Sequence, residues 1–134
     1  MGSLLALDVG TKRIGVAVAD TLVPIAVPLQ TIDVDGKEVV AIQKIIADKA
    51  VEKIVVGYPR NQRGDSTEQT KLVEAFVARL GVAVPLVYQD ESLTSVMAED
   101  RLKATGKPYQ KGDIDALAAA IILQDYLEIH HAAR

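Results

Sequence analysis

Two apolar runs, residues 4–7 and 14–19, stand on either side of a polar, glycine-flanked turn that holds Asp8, Gly10, Thr11, Lys12, Arg13 and Gly15. That pattern predicts a β-hairpin. Residues 24–31 read as a third strand, and Pro24 and Pro28, which lack ladder donors, put it at an edge. A turn cluster follows at 33–36. Val39, Val40, Ile42, Ile45 and Ile46 then recur at helical spacing, so the first helix is expected over 37–49. Residues 53–57 are a short continuous apolar run, as in a parallel strand covered on both faces.

A polar loop over 58–67 contains Pro59, Gly64 and Asp65. The second helix carries the stripe Leu72, Val73, Phe76, Val77 and Leu80. Ser66 with Gln69 three residues on predicts its capping box, and Gly81 its stop. Residues 84–87 form a further strand that runs into the polar stretch 89–92. Thr94 caps a third helix bearing Val96 and Leu102 and ending near Gly106. Residues 107–112 read as a basic loop, after which Asp113 caps a last helix bearing Ile114, Leu117, Ile121, Ile122 and Leu127. The order is βββαβαβαα: an α/β domain in which an antiparallel three-strand meander joins parallel strands, flanked by helices.

No linker or repeat divides the 134 residues, so one domain over 1–134 is expected. With four Tyr, one Phe and no Trp, the core must be aliphatic. The absence of Cys excludes disulfides and zinc–thiolate sites and fits a reducing cytoplasm. No stretch approaches the ~18 apolar residues of a membrane span. Asp8 interrupts the first apolar run too early for a secretory signal. The net charge of −3 does not favour nucleic acid over the whole surface. Its distribution changes that picture. Arg101, Lys103, Lys107 and Lys111 lie in a stretch without an acid, Lys12 and Arg13 sit in the first turn, and Arg60 and Arg63 in the loop after the fourth strand. Such runs also simply solvate a face.

Asp8 ends the first strand, where a carboxylate is costly unless paired or bound to a cation. Glu91 follows the fifth strand, and Asp115 falls in the first turn of the last helix. Functional groups of open α/β sheets collect at the carboxyl ends of parallel strands. Ala116, Ala118, Ala119 and Ala120 would let that helix lie close to the sheet and carry Asp115 over the strand ends. Three carboxylates without Cys or His suit a hard cation such as Mg²⁺ or Mn²⁺, able to activate water and stabilise phosphate charge. Taken singly, each has a plainer reading: Asp8 capping turn amides, Glu91 solvated in a loop, Asp115 favouring the helix N-terminus.

Four segments in order, residues 7–17, 55–59, 90–95 and 115–127, resemble the YqgF (RuvX) family. These bacterial ribonuclease-H-like proteins are associated with Holliday junction resolution and pre-16S rRNA cleavage. The resemblance implies a ribonuclease-H-like mixed five-stranded sheet. It implies that Asp8, Glu91 and Asp115 are catalytic and hold Mg²⁺ or Mn²⁺, with Gly10, Thr11, Lys12 and Arg13 shaping the site. A metal-dependent endonuclease is then expected, acting on branched DNA or precursor rRNA. The expected nucleic-acid contacts are Lys12, Arg13, Arg60, Arg63, Arg101, Lys103, Lys107 and Lys111. A homodimer would suit a two-fold junction. Tyr58 stands where the family commonly has Leu, and Ser92 where it has Arg, which removes a cation beside Glu91. The loop at 60–66 departs from the family form but keeps Asn61 and Gly64.

Two other readings remain. The fold could serve as a non-catalytic nucleic-acid-binding module, although unpaired acids at a phosphate site would repel the ligand without metal. Asp8 with Gly10 and Thr11 also resembles the phosphate motif of actin-like Mg-nucleotide-binding domains, but those close two such domains over the nucleotide. His130 and His131 read as a solvated pair, and Ser66, Ser92 and Ser95 have no His placed to activate them.

Overall fold

The computed structural model describes residues 2–59, 67–91 and 94–131, with side chains for all of these except 91, 95 and 131. The element order is β1 (Ser3–Val9), β2 (Arg13–Asp20), β3 (Val27–Asp33), α1 (Glu38–Asp48), β4 (Val51–Pro59), α2 (Glu68–Leu80), β5 (Leu86–Glu91), α3 (Thr94–Ala104) and α4 (Lys111–His131). Among the described residues the strands form one five-stranded sheet in the order β3-β2-β1-β4-β5. The hairpin and third strand pair antiparallel, while β1, β4 and β5 run parallel. The expected mixed sheet is present.

Alternation along the strands sorts side chains onto two unequal faces. Leu5, Leu7 and Val9 of β1, Ile14 and Val16 of β2, and Ile54 and Val56 of β4 pack with Ile42 of α1 and with Val73, Phe76 and Leu80 of α2. The other face is built from smaller residues. Ala6, Ala17, Ala19 and Val55 meet Ala119, Ala120, Ile122, Leu123 and Leu127 of α4. Alanine on both sides lets α4 lie close against the sheet. Helix α3 packs on α4 through Ala98 against Ala118 and Ile121.

Several boundaries differ from the sequence expectations, and β4 extends two residues beyond 53–57 at each end. Strand β3 begins at Val27 because the Ala26 amide donates to Gln124 Oε1 of α4 rather than to a ladder. Pro28 falls where the β2–β3 register shifts, a place that needs no ladder donor. Strand β5 runs through the polar residues Gln89, Asp90 and Glu91, which pair with Gly57, Tyr58 and Pro59. Glu91 is therefore the last residue of the strand, not part of the loop beyond it. Helix α2 is capped by Thr67 and Thr70 in a reciprocal box, one residue later than Ser66 and Gln69. Gly81 stops it in the left-handed region, at φ 55°.

Helix α4 starts at Lys111, two residues before the expected cap. Asp113 is its third residue, and its Oδ2 accepts from the Gln110 amide at 2.9 Å. That is the back-reaching half of a capping box. Residues 111 and 112 thus belong to the helix rather than to the basic loop.

Candidate active site

Asp8 follows Ala6 on the α4 face of β1 and is half-buried. Its cross-strand partner is Gly15 of β2. A Cβ added to Gly15 would lie 1.9 Å from the Asp115 carbonyl oxygen and 2.9 Å from the Ala116 nitrogen. The α4 backbone therefore rests directly on β2 at that glycine, and no other residue fits. Gly15 has Asp8 beside it in the sheet and Asp115 above it on the helix. The two residues come from positions 107 apart (115 minus 8), and both adjoin Gly15, Asp8 in the ladder and Asp115 through its backbone. Asp115 lies in the second turn of α4, not the first. The effect of the helix dipole fades within the first turn, so helix-start electrostatics do not explain it.

Asp115 is held in place by Arg13. The Arg13 Nε donates to Asp115 Oδ2 at 2.5 Å, with the two side chains 32% and 21% exposed. This engagement through Nε alone leaves Asp115 Oδ1 and the Arg13 Nη groups without a hydrogen bond to any described residue. The turn that presents Arg13 is closed by the Gly10 amide donating to the Arg13 carbonyl at 2.9 Å. A Cβ at Gly10 would come within 2.8 Å of that carbonyl oxygen. From the edge strand, Thr31 Oγ1 donates to the Gly112 carbonyl at 2.5 Å and ties β3 to the first turn of α4. On the other side of the sheet, Gln69 Nε2 donates to the Val9 carbonyl at 2.8 Å and fixes the end of β1. Neither Thr31 nor Gln69 is visible as a site residue in sequence, because each acts through a backbone carbonyl far away in the chain.

Glu91 ends β5, and the Asp8 strand lies two ladder steps away across β4, about 10 Å of sheet. Its side chain lies outside the described residues, as do Arg60 and Arg63. Among the described residues no three His, Cys, Asp or Glu side chains are grouped as a metal cage. Lys12 is exposed in the turn beside Arg13. Lys111 is exposed one helical turn before Asp115, on the same side of α4. Arg101 and Lys103 lie exposed in the last turn of α3, and Lys107 lies exposed in the connection that follows.

The family model for RuvX, described as Holliday junction resolvase, matches residues 2–129. The chain belongs to the RuvX family. A Chloroflexus aurantiacus protein with the provisional name of pre-16S rRNA nuclease is 44% identical over 131 residues, covering 93% of this chain and 86% of that protein. A Dechloromonas aromatica protein with the same name is 41% identical over 137 residues, covering 98% and 94%. Among solved structures, Thermus thermophilus RuvC aligns with a TM-score of 0.55 at 15% identity, covering 97% of this chain and 96% of RuvC. The Fowlpox virus resolvase, solved with Holliday junction DNA, aligns with a TM-score of 0.54 at 13% identity, covering 96% and 98%. At these identities the likeness is one of fold.

The donor set of this RuvX chain fits a hard divalent cation. Asp8 and Asp115 offer only oxygen, and Arg13 Nε engages only one of the two Asp115 oxygens.

Proposed function

We propose that this RuvX-family nuclease hydrolyses phosphodiester bonds in structured nucleic acid with Mg²⁺ or Mn²⁺ held by Asp8, Asp115 and Glu91. The observation that carries this reading is the meeting of Asp8 and Asp115 at Gly15, on the carboxyl end of β1. The bound cation would supply positive charge for the scissile phosphate and a polarised water. The chain's own groups do the positioning. Arg13 fixes one Asp115 oxygen and leaves the other for the cation, and its own Nη groups would take a phosphate oxygen. Lys12 and Lys111 flank the carboxylates and offset their repulsion of the substrate backbone. Arg60, Arg63, Arg101, Lys103 and Lys107 extend that contact. The names of the relatives favour precursor 16S rRNA as substrate, and a four-way DNA junction is the second candidate. A homodimer would match the two-fold symmetry of a junction, and a cytoplasmic location would fit a nucleic-acid substrate and a chain without Cys.

The test is cleavage of both substrates side by side, with Mn²⁺ and with EDTA. EDTA abolishes cutting, and Asp8→Asn and Asp115→Asn each remove nearly as much activity as the double variant, because jointly acting groups are not additive. Near-parental cleavage by either single variant overturns the assignment. Equal amounts of RuvX protein on the two substrates then identify the preferred one.

A further inference from the structure

At the end of α4 remote from Asp115 lies a cavity of about 580 Å³. Leu4 and Lys53, Cα partners at the start of β1 and near the start of β4, form one wall. Tyr126, Leu127 and His130 of α4 form the other, with Glu52 at the rim. Eleven residues of helix separate Tyr126 from Asp115, a rise of about 16 Å. The cavity is therefore distinct from the carboxylate site.

Its chemistry differs from the alanine and valine that pack the middle of this face. Lys53 stands two residues before the fully buried Val55 and is itself partly buried. Its Nζ donates to Tyr126 Oη at 3.1 Å and has no carboxylate partner among the described residues. This ammonium, over the Tyr126 ring at 5.7 Å and bonded to one phenol oxygen, keeps two donors that an anion would satisfy. The His130 ring stacks on Tyr126 with centroids 4.1 Å apart and adds ring nitrogens beside the same phenol. Leu4 and Leu127 supply an apolar surface, and Glu52 supplies an acceptor for a hydroxyl or amine. An ammonium, an imidazole, an apolar slot and one acceptor complement a phosphate, a planar base and a sugar. The volume is within the range of small-molecule sites, roughly 300–1,000 Å³.

We infer that this cavity binds a nucleotide phosphomonoester, with the phosphate on Lys53 and His130 and the base against Leu4 and Leu127. The phosphomonoester could belong to a free mononucleotide or to the 5′ end of a strand. The site needs neither metal nor Asp8, so it stands or falls separately from the nuclease reading.

The experiment is NMR titration of the ¹⁵N-labelled full chain in EDTA with AMP, adenosine, inorganic phosphate, and short oligonucleotides with 5′-phosphate or 5′-hydroxyl ends. AMP or the 5′-phosphorylated oligonucleotide is expected to shift amides around residues 4, 53 and 126–130 in a saturable way. Adenosine and phosphate should bind about tenfold more weakly, since each lacks half of the contacts. Lys53→Met, which keeps the aliphatic stem, and His130→Gln should each weaken AMP binding about tenfold, whereas Lys53→Arg and Asp8→Asn retain it. Saturation by AMP alone assigns a free nucleotide, and saturation by the 5′-phosphorylated oligonucleotide but not its 5′-hydroxyl counterpart assigns a strand end. Parental affinity in a folded Lys53→Met protein overturns the inference. So does phosphate binding as tightly as AMP, or a response confined to residues 8, 13 and 115.

Discussion

Gly15 is the residue on which the candidate site depends most directly, although it carries no chemistry. A methyl group there would overlap the Asp115 carbonyl, and a Cβ has no rotamer through which to escape. Gly15→Ala should cost about 3 kcal/mol or more, at the upper end for overpacking, and lower the melting temperature by roughly 10 °C. A melt within about 2 °C of the parent would contradict the contact. Arg13 makes a different prediction. Its pair with Asp115 is partly exposed, so Arg13→Met should change stability in EDTA by less than about 1 kcal/mol. The same variant should raise the Mn²⁺ concentration for half-maximal cleavage about tenfold, the scale for losing a group that orients a metal ligand. An unchanged metal response would mean that Arg13 does not position Asp115. The types of Asp8, Asp115 and Arg13 make them visible in the sequence. The role of Gly15 is not, because a local pattern explains a glycine after a turn equally well and says nothing about which helix lies over it.

The elements show where local patterns suffice. The local patterns predict every helix and strand in the correct order, although β3 buries only Ile32 and Val96 of α3 is exposed. Boundaries depart from the local pattern where a distant partner takes over a backbone group, as Gln124 does at Ala26, or where pairing carries polar residues into a strand, as in β5. The start of α1 falls as expected and carries a buried carboxylate. Glu38 is 2% exposed, an uncommon burial for a carboxylate. Its own amide and that of Gly36 donate to it, and Arg79 Nη1 lies 3.3 Å from its Oε2. The hydrogen bond from its own amide, aided by those from Gly36 and Arg79, outweighs burial and holds its pKa below the ordinary Glu value. Glu38 therefore contributes stability that is complete above the ordinary value of about 4.3 and is lost as pH falls through the lower folded value. Glu38→Gln should lower the melting temperature at about pH 7, and the gap from the parent should close toward about pH 3. A gap that widens on acidification would remove Glu38 as an anchor of α1 against α2.

Across the whole molecule, a net charge of −3 coexists with exposed cations at Lys12, Lys103, Lys107 and Lys111 near the end of the sheet that bears Asp8. Lys103→Gln with Lys107→Gln should weaken substrate binding for all sequences alike. It should also flatten the plot of log affinity against log salt by about 0.7–0.9 per lost phosphate contact. An unchanged slope would make these two lysines ordinary solvated charges. The 21-residue α4 spans the domain and touches the β2 backbone at Asp115, while its later turns rest on side chains. Mechanically, the backbone contact at Gly15 is a fulcrum placed almost at one end of a beam. His130 lies about 22 Å along that beam, so a tilt of about 3° would swing it by about 1 Å while Asp115 hardly moves. Disturbance of the last turns is thus absorbed at the far end, and substitutions there should reduce stability well before they reduce cleavage.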